Sequence, residues 1–423
     1  MKPGIARTAG FVLILGATII GDDGPSPKLL YDQHRWFELR DAIKGRPASP
    51  LYEGAVAAAF NDRGRAEENL ARTIKLQPKS ADAEDAHEIL ANVYIRFGQY
   101  KDAVRQLDEA LTIKPENVEA KNARALFAAW SRHPDQYIER FKAGRIHANV
   151  SEHGGVKLPV SIHGKTVHWV LDTAANFSVM SDSEAQSLGV PIDESSVVIK
   201  DSAGGTTKMR TAVVDDLIIG GTHLRNVAFL MLPDTQQPMR DLPPGERGII
   251  GIQVPIALGA IDWRSDGAFQ FGDMSKSRGS EKNLSFDDLN PVVRGGFEGR
   301  ELDCVLDSGD AAGSQLWRRF AQDFDVFVKK HGTNSKQQVT QVGGANIRDT
   351  VMLPEVTLRV GGLDAILRPA QVFSKPVGDD YHHCLLGLDV LSQAREVKID
   401  FQSMSLQLVP PAPQSHRRLE LAP

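Results

Sequence analysis

Asp172 and Asp307 each close an apolar run and open a small turn: Val170-Leu171-Asp172-Thr173-Ala174 in one place and Val305-Leu306-Asp307-Ser308-Gly309 in the other. A carboxylate at the end of an apolar strand borders a dry core, and it needs hydrogen bonds or a partner to remain there. Two such groups brought face to face share one proton, because like charges a few ångströms apart do not both ionise cheaply. The ionised member then takes a proton from water while the protonated member polarises a carbonyl. That is acid–base hydrolysis with water as nucleophile, and it calls for no metal and no cofactor.

The elements that must position these carboxylates are written twice. Val167, Trp169 and Leu171 alternate with polar or smaller neighbours, the period of a half-buried strand. Leu158, Val160 and Ile162 alternate before them, and the turn His163-Gly164 makes the pair a hairpin. Downstream, Glu298-Gly299 makes a turn, Leu302, Cys304 and Leu306 alternate, and Asp307 follows its glycine at the same spacing as Asp172 follows Gly164. Gly204-Gly205 after the first Asp is answered by Gly343-Gly344 after the second. Ile249-Ile250-Gly251 is answered by Leu385-Leu386-Gly387, and Ile261-Asp262-Trp263 by Ile399-Asp400-Phe401. Many marks in one order at matched spacing define an internal duplication.

Asp-Thr/Ser-Gly behind an apolar strand, a glycine flap and then apolar-apolar-Gly resembles the retropepsin and pepsin-like aspartic peptidases, over roughly residues 150 to 409. The resemblance implies a mostly-β bilobal acid-protease fold of two pseudo-symmetric retropepsin-like barrels. It implies Asp172 and Asp307 as the catalytic pair and Thr173 and Ser308 as hydrogen-bonded braces between the turns. Gly204, Gly205, Gly343 and Gly344 would be flap residues folding over a peptide or protein substrate. With both lobes in one chain, no dimer is needed to build the site. Three departures stand out: Ala174 where the family has Gly, Asp310 where it has a small residue, and Ser314 one position late relative to Ser178. An Asp310 charge near the pair would raise its upper pKa.

The 423 residues suit two or three domains, and 41% apolar against 24% charged residues describes ordinary globular composition. The net charge of −5, with no basic patch among aromatics and no zinc-type Cys spacing, gives no reason to expect nucleic acid. Residues 1–21, with Lys2, Arg7 and the apolar stretch Ala9 to Ile20, read as a signal peptide, with an uncleaved membrane anchor as the alternative. Export to the periplasm or cell envelope is the expectation. Residues 28–147 read as helical. Ala86, Leu90, Tyr94, Gly98, Tyr100, Ala103, Ala110 and Pro115 resemble a tetratricopeptide repeat. Pro78 closes a poorer copy, and Glu119 to Trp130 reads as a capping helix. So few repeats are not stable alone, so this layer must pack on the lobes or hold a protein partner. The first lobe is read as 148–276, a linker as 277–283, the second lobe as 284–409, and 410–423 as a loose tail.

Competing readings are weaker. His382-His383 has no ligand set around it at metal spacing and reads as a packed or solvated pair. Cys304 and Cys384 fall on neighbouring strands, and both a disulfide and buried free thiols remain open. Asp262 and Asp400 also repeat and read as structural residues on edge-like strands. A carboxylate pair serves glycosidases too, but nothing else supports that here. The reading is therefore an aspartic endopeptidase. The alternative is an inactive protease-fold and tetratricopeptide scaffold that binds peptides or an envelope partner.

Overall fold

The computed structural model describes residues 24–150, 155–200, 206–272, 281–341, 344–375 and 381–412. The signal-peptide or anchor segment, the tail beyond 412 and flap residues Gly204, Gly205 and Gly343 lie outside the described residues. Among the described residues, no helix is long and apolar enough to cross a membrane.

The N-terminal region is all-α. Its helices start where the sequence offers caps. Ser49 Oγ accepts the N–H of Leu51 ahead of Pro50–Ala59, Ser80 Oγ that of Ala83 in Ala81–Arg96, and Asn117 Oδ1 that of Ala120 in Val118–Trp130. Arg63–Leu76 stops just before Pro78, and Tyr100–Ile113 just before Pro115. Pro50–Ala59 packs on Arg63–Leu76 and Ala81–Arg96 on Tyr100–Ile113. Ala66, Ala86, Ala103 and Ala110 are buried at those contacts, where small side chains allow close approach. The helices end at Trp130, not at residue 147. Tyr137–Arg140 pairs with Thr222–Leu232 of the first lobe, and Gly144–His147 with Ala268–Phe271. Both are short and polar on exposed faces, which hides their period-two pattern.

The remainder is β-rich and duplicated. A nine-stranded sheet forms the first lobe and a ten-stranded sheet the second. In each, a hairpin leads to the acidic turn: Val156–Ile162 with Lys165–Leu171, and Asn290–Phe297 with Arg300–Leu306. In each, a short strand from far downstream pairs in parallel with the strand before the Asp. Ile250 stands opposite Leu171, and Leu386 opposite Leu306. In each, a long hairpin follows the acidic turn: Ile192–Lys200 with Thr206–Ile219, and Thr333–Gln341 with Gly344–Leu353.

A five-stranded sheet joins the lobes, with Ala260–Arg264 of the first half antiparallel to Glu396–Asp400 of the second. The duplicated residues Ile261 and Ile399 are cross-strand partners at its centre. Asp262 and Asp400 are therefore on interior strands of this sheet and not on edges. The local pattern could not reveal this, because each strand's second neighbour comes from the other half. Asp262 is buried, and its carboxyl is pushed up to about 7 by burial and by Glu396.

The helical layer is clamped to both lobes. Tyr100 Oη donates to Gln253 Oε1 of the first lobe at 2.9 Å, and Asn61 Nδ2 to the Phe401 carbonyl of the second at 3.0 Å. Trp36 Nε1 donates to Asp287 at 2.9 Å. Buried Arg96 donates to the Ala58 carbonyl and lies 4.6 Å over the Phe286 ring. One apolar core runs from Phe37 and Leu39 of the helices through both lobes. Cys304 and Cys384 are register partners on parallel strands with Cα atoms 4.6 Å apart, and they are joined in a disulfide. His382 and His383 are buried. The two ring nitrogens of His383 bond the Asp303 N–H and the Asp323 carboxylate.

Candidate active site

The backbone delivers each carboxylate in the same way. The N–H of Asp172 donates to Ile250 and that of Asp307 to Leu386, so each turn is pinned to the strand beside it. One residue on, Gly251 and Gly387 back directly onto the turns. A Cβ on Gly251 would lie 2.4 Å from the Phe177 carbonyl carbon, and one on Gly387 3.0 Å from the Asp310 oxygen. Only glycine fits at 251, and at 387 a side chain would press on the Asp310 carbonyl.

A reciprocal set of hydrogen bonds ties the two turns together. Thr173 Oγ1 donates to the Leu306 carbonyl at 2.8 Å and accepts the Ser308 N–H at 3.0 Å. Ser308 Oγ donates to the Leu171 carbonyl at 2.9 Å and accepts the Thr173 N–H at 3.1 Å. Both side chains are buried, so these bonds are not exchanged with water. Each hydroxyl reaches the last apolar residue of the opposite strand, which fixes the carboxylates relative to one another.

The carboxyl groups are half-buried, and those of Asp172 and Asp307 are within hydrogen-bond reach of each other. Asp172 Oδ1 accepts the N–H groups of Ala174 and Ala175, both at 2.9 Å, and Asp307 Oδ1 accepts that of Gly309 at 2.9 Å. Burial raises the pKa of both. For Asp307 the negative charges of Asp172 and then Asp310 add to burial and push the carboxyl up to about 8. For Asp172, burial is opposed by the Ala175 and Ala174 N–H groups and by a hydrogen bond with Asp307. Asp310 caps its own loop, accepting the Ala312 N–H at 2.7 Å, and burial raises it too. An arrangement in which one carboxyl holds its proton near neutral pH while its neighbour is ionised supplies an acid and a base a hydrogen bond apart.

Of the sequence-derived residues, Asp172, Asp307, Thr173 and Ser308 come together at one seam. Gly344 pairs with Gln341 where the described part of the second flap hairpin ends. Ser178 Oγ accepts the Gly251 N–H at 3.1 Å, and Ser314 Oγ accepts the Gly387 N–H at 2.9 Å. The late position of Ser314 is absorbed by Gly313, whose φ of +100° only glycine adopts freely. Asp389 escapes sequence reading. It accepts the Ser314 N–H at 2.9 Å and Ser314 Oγ at 2.6 Å and so holds the extra residue in place. The only signal for it was the glycine immediately before a displaced serine.

Residues 158–254 match the family model described as aspartyl protease. A search of the curated proteins finds no match. Among solved structures, a retropepsin-like aspartic protease from Rickettsia conorii is 13% identical with a TM-score of 0.24, covering 31% of this chain and 96% of that one. Basic 7S globulin from soybean is 11% identical with a TM-score of 0.41, covering 64% of this chain and 96% of that one. The matched segment runs from the hairpin before Asp172 to just past Gly251, and the second lobe repeats its topology. The chain thus has an all-α region followed by a bilobal aspartic-protease fold, and the family match supports a protease-like hydrolase.

Proposed function

We propose that the chain is an aspartic endopeptidase in which Asp172 and Asp307 activate a water against a peptide bond. The observation that carries this reading is the reciprocal Thr173–Ser308 bracing, which holds two raised-pKa carboxyls side by side. The pair carries one proton. The two backbone N–H groups on Asp172 and the charge of Asp310 near Asp307 favour Asp307 as its holder. Asp172 takes a proton from water as the oxygen attacks the carbonyl carbon, and Asp307 gives its proton to the carbonyl oxygen. As the tetrahedral diol collapses, Asp307 takes a proton back from one of its hydroxyls, the C–N bond breaks, and the proton on Asp172 passes to the departing nitrogen, which restores the one-proton pair. An extended peptide pairs with the flap strands through its backbone.

The test is digestion of a peptide library by wild type, Asp172→Asn and Asp307→Asn. Cleavage should be blocked by a pepstatin-type inhibitor and fall at least about a thousandfold in either variant, as expected when one member of a catalytic unit is removed. Cleavage that survives both substitutions rules the mechanism out. The chain is further proposed to work in the periplasm or cell envelope, exported by residues 1–21 and with its tetratricopeptide-like helices open to a protein partner. Fractionation of cells expressing the full chain tests the first point, and pull-down with residues 81–113 altered on their exposed face tests the second.

A further inference from the structure

The first lobe's sheet has two apolar faces beside the dyad. Along Thr206–Ile219, Ala212 and Val214 join the lobe core while Met209 and Val213 join a second cluster. Met180 and Ile250 likewise face the core, and their neighbours Val179 and Ile249 face the second cluster. Ile249 stands opposite both Val170 and Val179, one residue before the Ile250 carbonyl that receives the Asp172 N–H. The outward face is therefore the one that frames the acidic turn.

Helices cover that face. Phe127 and Trp130 of Val118–Trp130 belong to the same cluster and meet Phe177, which follows Asp172 on its turn. Ring centroids lie 4.8 Å apart for Trp130 and Phe177 and 5.8 Å for Phe127 and Phe177. The helix also packs against the flap strand Ile192–Lys200, and Arg132 just beyond it forms an ion pair with Asp193 on that strand. Those three aromatics are buried, whereas Val179 and Ile249 are only half-buried, so the cluster opens to solvent at its edge beside the turn. Trp130 Nε1 and Asn176 Oδ1 are buried here without a partner among the described residues.

We infer that Val118–Trp130 is the outer wall of the substrate cleft on the Asp172 side. Phe127, Trp130 and Phe177 close an apolar side-chain subsite whose floor is Val179 and Ile249. The helical layer thereby sets which residue the enzyme accepts on that side of the scissile bond, and the substrate class is a peptide with an apolar residue there. This rests on the endopeptidase reading.

The full-length chain carrying Trp130→Ala or Phe127→Ala is compared with wild type in a peptide-library digest. The preference on one side of the cleaved bond should shift toward bulkier residues, with the kcat/KM ratio for aromatic over small residues changing about tenfold, the scale on which an apolar pocket discriminates by size. The preference across the bond stays as in wild type, and Trp130→Phe gives a smaller shift in the same direction. Unchanged profiles in folded variants overturn the inference. A second arm needs no turnover: full-length Asp307→Asn is given an uncleavable apolar peptide isostere with a benzophenone side chain, and crosslinks are mapped by mass spectrometry. Crosslinks within 118–130 support the wall even if wild type cleaves nothing, which would remove the hydrolytic reading alone. Crosslinks confined to the lobes, or none at all, overturn the wall, including where the alanine variants fail to fold.

Discussion

The carboxyl group of Asp172 occupies the space that a side chain on Gly309 would need: an added Cβ would lie 2.4 Å from Asp172 Cγ and 2.5 Å from Oδ2. The glycine of the second turn is thus shaped by the acid of the first. Gly309→Ala should push the carboxyls apart, lowering kcat about a hundredfold, the scale expected of a misplacement near 1 Å. Overpacking adds about 1–3 kcal/mol of instability. Steady-state kinetics and urea unfolding of the variant check both.

The bracing hydroxyls predict a second pattern. Ser308→Ala leaves the Thr173 N–H and the Leu171 carbonyl buried without partners, at about 1–3 kcal/mol each. Calorimetry should show a melting temperature several degrees lower, with activity lost in parallel. Ser308→Thr, which keeps the oxygen, should recover most of both.

The third prediction concerns pH. Hydrolysis needs one proton in the pair, so activity should persist through neutrality and fall as pH rises past about 8, where Asp307 releases it. The charge of Asp310 ranks below burial and the charge of Asp172 among the causes. Asp310→Ala should therefore move the alkaline limb of the pH–rate profile to lower pH by a fraction of a unit. A profile identical to wild type would remove Asp310 from the account.

Stability carries the same signature with a definite sign. The folded pKa of Asp307 is raised, so between the ordinary carboxylate value of about 3.9 and about 8 the folded protein holds a proton that the unfolded chain has lost. Folding stability falls as pH rises through that window, by at most about 1.4 kcal/mol per unit and less here because the carboxyl still meets solvent. Asp307→Asn should be more stable than wild type at pH 7, with the difference shrinking toward pH 4. Chemical unfolding at several pH values measures it.

The Cys304–Cys384 bond closes a loop with a sequence separation of 80. Chain entropy for such a loop amounts to about 4 kcal/mol. Intact mass should rise by two hydrogens on reduction, and the reduced protein should unfold at lower denaturant concentration. Alkylation of the unreduced chain at two thiols would show the cysteines to be free.

The duplication was legible because each half carries the same punctuation around its own Asp, and local strand and turn chemistry is enough to write it. The hidden parts depend on partners far along the chain. Gly144–His147 is too short and polar for its strand pattern to stand out, and it is a strand only against Phe271 and its neighbours. Asp262 looks like an edge residue until Lys398 of the other half stands opposite it. Ser314 looks misplaced until Gly313 and Asp389 show how one extra residue is folded away. The buried interface of Phe127 and Trp130 with Phe177 was likewise invisible, since a capping helix gives no sign of which surface it caps.

The seam at Ile261 and Ile399 is held by strand pairing along five consecutive register partners, and no covalent bond is needed there. A protein nicked between Gly272 and Glu281, or its two fragments expressed separately, should reassemble and regain hydrolysis. Halves whose seam pairing is weakened until they part on their own would then serve as a proximity reporter that signals only when other molecules draw them together.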